Sequence, residues 1–212
     1  TTDNGDGTFT INYTDGNTFT TAATSTYSAG DGIDIVGNVI SESKYQIGDF
    51  AQGGIVFWLD ESGEHGLVCA STDQSAAMRW YGGTTGVVQS KGNGAYAGET
   101  NTAIIISGTV AIGDDGSTYA ARICNEAQIS DGVNTYGDWY LPSKEELSLM
   151  FGEIVIINAT ALENGGTAFL LNYYWSSTEV DATRAYVTYY NMGNSTSTGK
   201  GGGFPVRAIR AF

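Results

Sequence analysis

Few residues in this chain are equipped for acid–base or nucleophilic chemistry. There is one histidine, His65, next to Glu64. A hydrolytic site needs a nucleophile held beside that imidazole, and no GxSxG turn or comparable elbow occurs. The two cysteines, Cys69 and Cys124, show no CxxC spacing and no Cys/His cluster, so zinc has no ligand set. They are able to pair with each other, but a count of two does not by itself imply a disulfide. Two acidic stretches, DNGDG at 3–7 and GDDGS at 113–117, look like pieces of a calcium loop. Neither continues to the distal glutamate such a loop requires, so both read as turns. Arg207 and Arg210 read as partners of local carboxylates. No metal and no organic cofactor is expected.

Binding chemistry is concentrated in one stretch, VDATRAYVTYYNMGNSTSTGKGGGF, from Val180 to Phe204. It mixes tyrosine with Asn, Ser, Thr, Gly and an arginine. Rigid amphipathic rings beside small adaptable polar groups are the composition of a paratope. The expected ligand-binding residues are Asp181, Thr183, Arg184, Tyr186, Tyr189, Asn191, Asn194, Thr196, Thr198 and Phe204. The bland alternative is a glycine-rich loop joining two strands.

The elements that must position this stretch are mostly strands. TFTINY (8–13), the turn Asp15-Gly16 and NTFTTA (17–22) read as a hairpin, and IDIV, Gly37-Asn38 and VIS as another. Two isolated hairpins bury no core, so residues 1–44 read as a β-rich stalk or trimerisation segment and 45–212 as the binding domain. There GGIVFWLD (53–60) and LVCAS (67–71) form a hairpin. ETNTAIIIS (99–107) reads as a short helix and STYAARICNEAQ (117–128) as a second, with Ala120, Ile123, Cys124 and Ala127 on one face. LPSKEELSLMFGEI is a third, capped by Ser143 with Glu146 and buried through Leu147, Met150, Phe151 and Ile154. YYWSST, RAYVTYY and FPVRAIRAF are strands. Trp58, Trp139 and Trp175 are expected in the core.

Composition narrows the partners. The chain has 212 residues, 30 of them glycine, and a net charge of −14. That charge argues against a nucleic-acid backbone and against an anionic membrane surface. No apolar run is long enough for a spanning helix, so no membrane insertion is expected. The chain begins Thr1-Thr2 without a methionine, as a piece of a longer protein would.

Four segments in order, GGIVFWLDESGEHGLVCA (53–70), GDWYLPSKEELSLM (137–150), YYWSSTE (173–179) and VRAIRAF (206–212), resemble the bacterial and phage DUF1566 domains, also seen at the C-terminus of a collagen-like adhesin. The resemblance covers 45–212. It implies an α+β, C-type-lectin-like fold, trimeric adhesin tips and phage receptor-binding proteins. His65 falls in the ESGxHG turn of those domains, a structural place. The Glu-Pro-Asn or Gln-Pro-Asp triplets of calcium-dependent sugar-binding lectins are absent. The expected function is therefore a non-catalytic receptor-binding tip of a phage tail fibre or cell-surface fibre. It would be a homotrimer on the virion or outside the cell, recognising a host-surface glycan or protein. The alternatives are a structural fibre cap without ligand, or an enzyme of the formylglycine-generating type, for which Cys69 and Cys124 are the only candidate metal ligands. Some relatives are variable proteins of diversity-generating retroelements. On that pattern Val180, Asp181, Thr183, Arg184, Val187, Asn191, Asn194, Thr196, Thr198 and Gly201 are expected to be variable and solvent-facing, with Met192 and Lys200 fixed or derived from another codon.

Overall fold

The computed structural model describes residues 2–4, 8–12, 14–20, 33–36, 39–42, 44–190 and 193–212. The chain divides into two compact units, Thr1–Glu42 and Ser43–Phe212.

In the first unit, β1 (Thr2–Asp3), β2 (Phe9–Asn12) and β3 (Thr18–Thr20) make a three-stranded antiparallel sheet. Its β2–β3 hairpin turns at Asp15-Gly16, where Asp15 accepts the Asn17 amide and Gly16 takes the positive φ that the turn needs. β4 (Ile33–Val36) pairs with β5 (Val39–Glu42) in register Val36↔Val39. The turn expected at Gly37-Asn38 lies outside the described residues.

In the second unit, β6 (Phe50–Ala51), β7 (Gly54–Leu59) and β8 (Gly66–Cys69) lead to β9 (Ser75–Met78) and the helices α1 (Ala97–Gly113) and α2 (Ala120–Asn125). A two-residue pair, β10 (Ile129–Ser130) and β11 (Thr135–Tyr136), precedes α3 (Lys144–Gly152) and α4 (Ile154–Glu163). The chain then runs through β12 (Tyr173–Glu179), β13 (Arg184–Tyr189), β14 (Ser195–Gly199), β15 (Phe204–Val206) and β16 (Ile209–Ala211). The strands form separate antiparallel sheets, in the orders β16-β8-β7-β6, β12-β13-β14, β15-β9 and β10-β11.

This corrects the expectation of an α+β C-type-lectin-like fold. The described strands are distributed over small antiparallel sheets, and the molecule is sheet-rich. The physical reason is that each of the four motifs specifies a local device: a hairpin, a cap or a strand pair. None specifies which sheets those devices join.

The central strands are buried on both faces, which is why GIVFWL and GLVC read as unbroken apolar runs. Val56, Val68 and Trp175 belong to one core cluster, while Ile55, Phe57, Leu67, Cys69 and Tyr174 belong to another. α1 and α2 supply Ile105, Ala120, Ala121 and Cys124 to the first. α3 and α4 supply Leu147, Met150, Phe151, Ile157 and Ala161 to the second. Two indoles stitch the sheets together, Trp80 donating to the Ser176 carbonyl at 2.8 Å and Trp175 to the Met78 carbonyl at 2.6 Å. Trp139 is buried as expected, whereas Trp58 is only partly buried.

The helices differ from their sequence reading in length. α1 extends to Gly113 because it docks through a small and polar face of Gly98, Asn101, Thr102, Ile105 and Thr109, with no apolar stripe to mark it. Asn101 holds both the amide and the carbonyl of Gly92. α3 has the expected capping box at Ser143 and Glu146. It ends at Gly152, and Ile154 opens α4, a separate helix rather than the last turn of the buried stripe.

Candidate functional site

The stretch Val180–Phe204 is a β-hairpin rather than a loop. β13 is the middle strand of its sheet, and β14 is an edge strand paired only with β13 in the register Tyr186↔Ser197, Val187↔Thr196, Ala185↔Thr198. Directly opposed residues share a face, so the hairpin sorts the expected site residues onto two sides.

Ala185 and Val187 point into the first core cluster and are fully buried, Val187 lying opposite Trp175. This corrects the expectation that Val187 faces solvent: alternation along β13 turns it inward. On the same side, toward the edge, stand Thr196 and Thr198. Tyr189 shares that side, its ring 5.0 Å from Tyr173 and 5.4 Å from Tyr190. Phe204, on β15, packs edge-on against Trp175 at 5.0 Å, so most of its contribution is to packing.

The opposite side carries Arg184 and Tyr186, with Ser195 and Ser197 beside them on β14. Arg184 donates to the Ser197 hydroxyl. The Lys144 ammonium, from the first turn of α3, sits 5.0 Å from the Tyr186 ring centre. Sequence reasoning missed Lys144, Ser195 and Ser197. The only signal for Lys144 was a cation in the first turn of a helix, where the dipole favours an anion.

Asp181 and Thr183 are exposed, but Asp181 is committed to the turn. Its Oδ1 accepts from the Thr183 amide at 2.8 Å, the Thr183 hydroxyl at 2.9 Å and the Arg184 amide at 2.9 Å. The Thr183 amide first, and then these other bonds, hold its carboxyl below the ordinary value. Asn194 is exposed and its carbonyl accepts the Tyr189 amide. Asn191 lies outside the described residues, as does Met192.

Beneath the hairpin is a buried ion pair. The Lys200 ammonium lies 2.6 Å from Glu179 Oε1, 2.7 Å from the Gly86 carbonyl and 4.4 Å from the Trp80 ring centre. Glu179 also accepts the Val88 and Gln89 amides at 2.9 Å each, and Lys91 stands 3.4 Å from its Oε2. Burial pushes the Glu179 carboxyl up, but Lys200 and the two amides outweigh it and hold it below its ordinary value. The pair ties the hairpin to the 80–98 loop, a structural duty.

The other chemistry-capable groups are likewise committed. Arg207 pairs with Asp73 at 2.7 Å, and the Tyr174 hydroxyl donates to the same carboxylate at 2.8 Å. Arg210 pairs with Asp138. In the GDDGS turn, Asp114 is engaged by Arg122 and Asp115 by Arg79. Among the described residues no group of three or more His, Cys, Asp or Glu side chains is placed to hold a metal ion. Cys69 and Cys124 are free, fully buried and in different core clusters. Burial pushes the Cys69 thiol up to about 12, and the Cys124 thiol is also raised, so neither is a poised nucleophile. His65 is exposed in the β7–β8 turn. Among the described residues no helix is long and apolar enough to cross a membrane.

No protein-family model matches the chain, and no curated protein matches it. The four-motif resemblance therefore has no support beyond the motifs themselves. Among solved structures, a fimbrial protein from Bacteroides ovatus is similar, with a TM-score of 0.54 and 15% identity. The match covers 75% of this chain and 44% of that one, so the chain spans less than half the length of the fimbrial protein. The likeness concerns fold alone, and it replaces the lectin-like assignment with that of a sheet-rich structure similar to the fold of that protein.

Proposed function

We propose that the 43–212 unit is a non-catalytic binding module of an extracellular or cell-surface fibre, and that the β13–β14 hairpin carries its ligand face. The observation that carries this reading is a contrast. Six of the nine cations are spent on structural ion pairs, while one side of the edge hairpin presents Arg184, Tyr186, Ser195 and Ser197, with Arg184 and Ser195 exposed and Tyr186 and Ser197 half-buried. The fold likeness to a fimbrial protein supports a fibre setting. On this reading the module is the tip of a phage or cell-surface fibre, and its partner is a receptor on the host surface.

The test is attachment of the whole protein to cells bearing the receptor. Arg184→Ala, Tyr186→Ala and Ser197→Ala are expected to reduce attachment with little change in melting temperature, because these side chains are exposed or only half-buried. Full attachment by the triple variant would instead favour a fibre component without a ligand of its own.

A further inference from the structure

On the reading that this hairpin is the ligand face, we infer that its ligand is an acidic glycan, a polysaccharide bearing carboxylates, held at the Arg184–Tyr186–Lys144 side. The net charge of −14, which opposes an extended polyanion, leaves room for an acidic ligand only at a local cluster of cations, and the chain has nine cations. Arg79, Lys91, Arg122, Lys200, Arg207 and Arg210 are ion-paired to carboxylates. Lys44, Lys144 and Arg184 form no ion pair with a described carboxylate, and two of these three flank one tyrosine.

The geometry brings them together from distant parts of the chain. Tyr186 and Arg184 are two residues apart on β13 and so share a face. Arg184 reaches the hydroxyl of Ser197, which stands directly opposite Tyr186. Lys144 arrives from α3, its ammonium over the Tyr186 ring. Lys91 adds a half-exposed ammonium near the same end, donating to the Val180 carbonyl at 2.6 Å, although Glu179 neutralises it. The carboxylates nearby are Asp181, one oxygen of which is taken by its own turn and whose charge interacts with Arg184 without an ion-pair contact, and Glu145, the helical neighbour of Lys144.

Beyond its contact with the Tyr186 ring, Lys144 gains nothing from its place in the helix. A cation in the first turn of a helix opposes the dipole, and Glu or Asp would stabilise α3 better. A local choice that runs against the helix it sits in is what a binding role would leave. The choice of a glycan over an acidic peptide rests on what surrounds the cations. The rim is Ser195, Ser197, Thr183 and a partly exposed phenol ring, with no exposed aliphatic side chain among them. A peptide is anchored by apolar side chains in pockets. A sugar stacks one face on a ring and offers hydroxyls to hydroxyls, and its carboxylate meets the guanidinium as a bidentate ion pair.

The experiment uses the whole protein against a panel of polygalacturonate, hyaluronate and polysialic acid, with methyl-esterified polygalacturonate and dextran as neutral counterparts. At least one acidic polymer is expected to bind, its neutral counterpart not, with affinity falling steeply as salt rises. Arg184→Gln and Lys144→Gln should each weaken binding about tenfold, as expected for loss of one charge-assisted contact. The melting temperature of Lys144→Gln should hold or rise, while Lys44→Gln, at the other unpaired cation beside a ring (Tyr45), should change nothing. Equal binding of neutral and acidic polymers, or acidic binding untouched by both substitutions, overturns the inference. So does failure of every acidic polymer while Arg184→Gln and Tyr186→Ala still abolish cell attachment, and there the hairpin face itself survives. Attachment indifferent to all of these overturns both readings.

Discussion

At the scale of single residues, the Glu179–Lys200 pair is where this fold is most exposed to damage. Both side chains are excluded from water, at 0% and 1% exposure, and each neutralises the other. Glu179→Gln leaves an ammonium buried without its anion. It should cost about 3–5 kcal/mol in urea unfolding, and replacing Lys200 by Met in the same chain should recover much of that loss. The pH dependence has a definite sign. The folded Glu179 carboxyl lies below its ordinary value of 4.5. Its contribution is therefore complete above that pH and is lost as pH falls through the folded value. The stability gap between wild type and Glu179→Gln is expected to be full at neutral pH and to close on acidification. A gap that widens in acid would mean the carboxyl is not held ionised by its neighbours. Nothing in the sequence announces this pair: Glu179 ends β12 while Lys200 lies in the turn after β14, with no periodic signal to join them, and Lys200 reads as a loop lysine among glycines. Arg207 and Arg210 were easier, because two arginines in an alternating terminal strand of an acidic chain will find carboxylates.

At the scale of elements, legibility follows how local the signal is. The β2–β3 and β7–β8 hairpins and the Ser143 capping box were readable because turn and cap chemistry act over a few residues. α4 was not, since IVIINATALE is rich in β-branched residues, and its helical state comes from docking Ile157 and Ala161 into the second core cluster. α2 is shorter than its periodic face suggested, six residues from Ala120, because the chain on either side is drawn into turns. The hairpin β13–β14 shows the cost of reading a composition without its register. The stretch looks uniformly like a binding surface, yet one residue in two along β13 belongs to the core. Val187→Asp should therefore destabilise by about 3 kcal/mol or more, burying a charge where Trp175 now packs. Thr196→Asp, one position across the ladder but exposed at the edge, should stay within about 0.5 kcal/mol. Thermal melts of the two variants decide whether alternation, rather than segment composition, determines which positions tolerate change. Equal destabilisation would mean the register is wrong.

At the scale of the molecule, the two units stand in different energetic positions. Ser43–Phe212 has two core clusters with strands buried on both faces and helices over each, enough to fold by itself. Among its described residues, Thr1–Glu42 has a three-stranded sheet of very short strands and a separate pair of strands, and Phe19 is 55% exposed. Sheets of that size are marginal in isolation, and an aromatic ring left in water is an incentive to pair. Self-association through the first unit would resolve both difficulties, and we propose a closed trimer, which would carry three copies of a weak ligand face and multiply their avidity. The sequence showed the imbalance between the units, because two hairpins bury no core whatever their residues. It did not show how the larger unit's sheets would be joined, because contacts such as Trp80 with Ser176 span the chain and leave no periodic trace. The expected outcome is a trimer in light scattering for the full chain and a monomer for residues 43–212, with the melting temperature of the latter close to that of the whole. A monomeric full chain would remove the case for avidity. A shortened chain that no longer melts cooperatively would show that the larger unit depends on the smaller one.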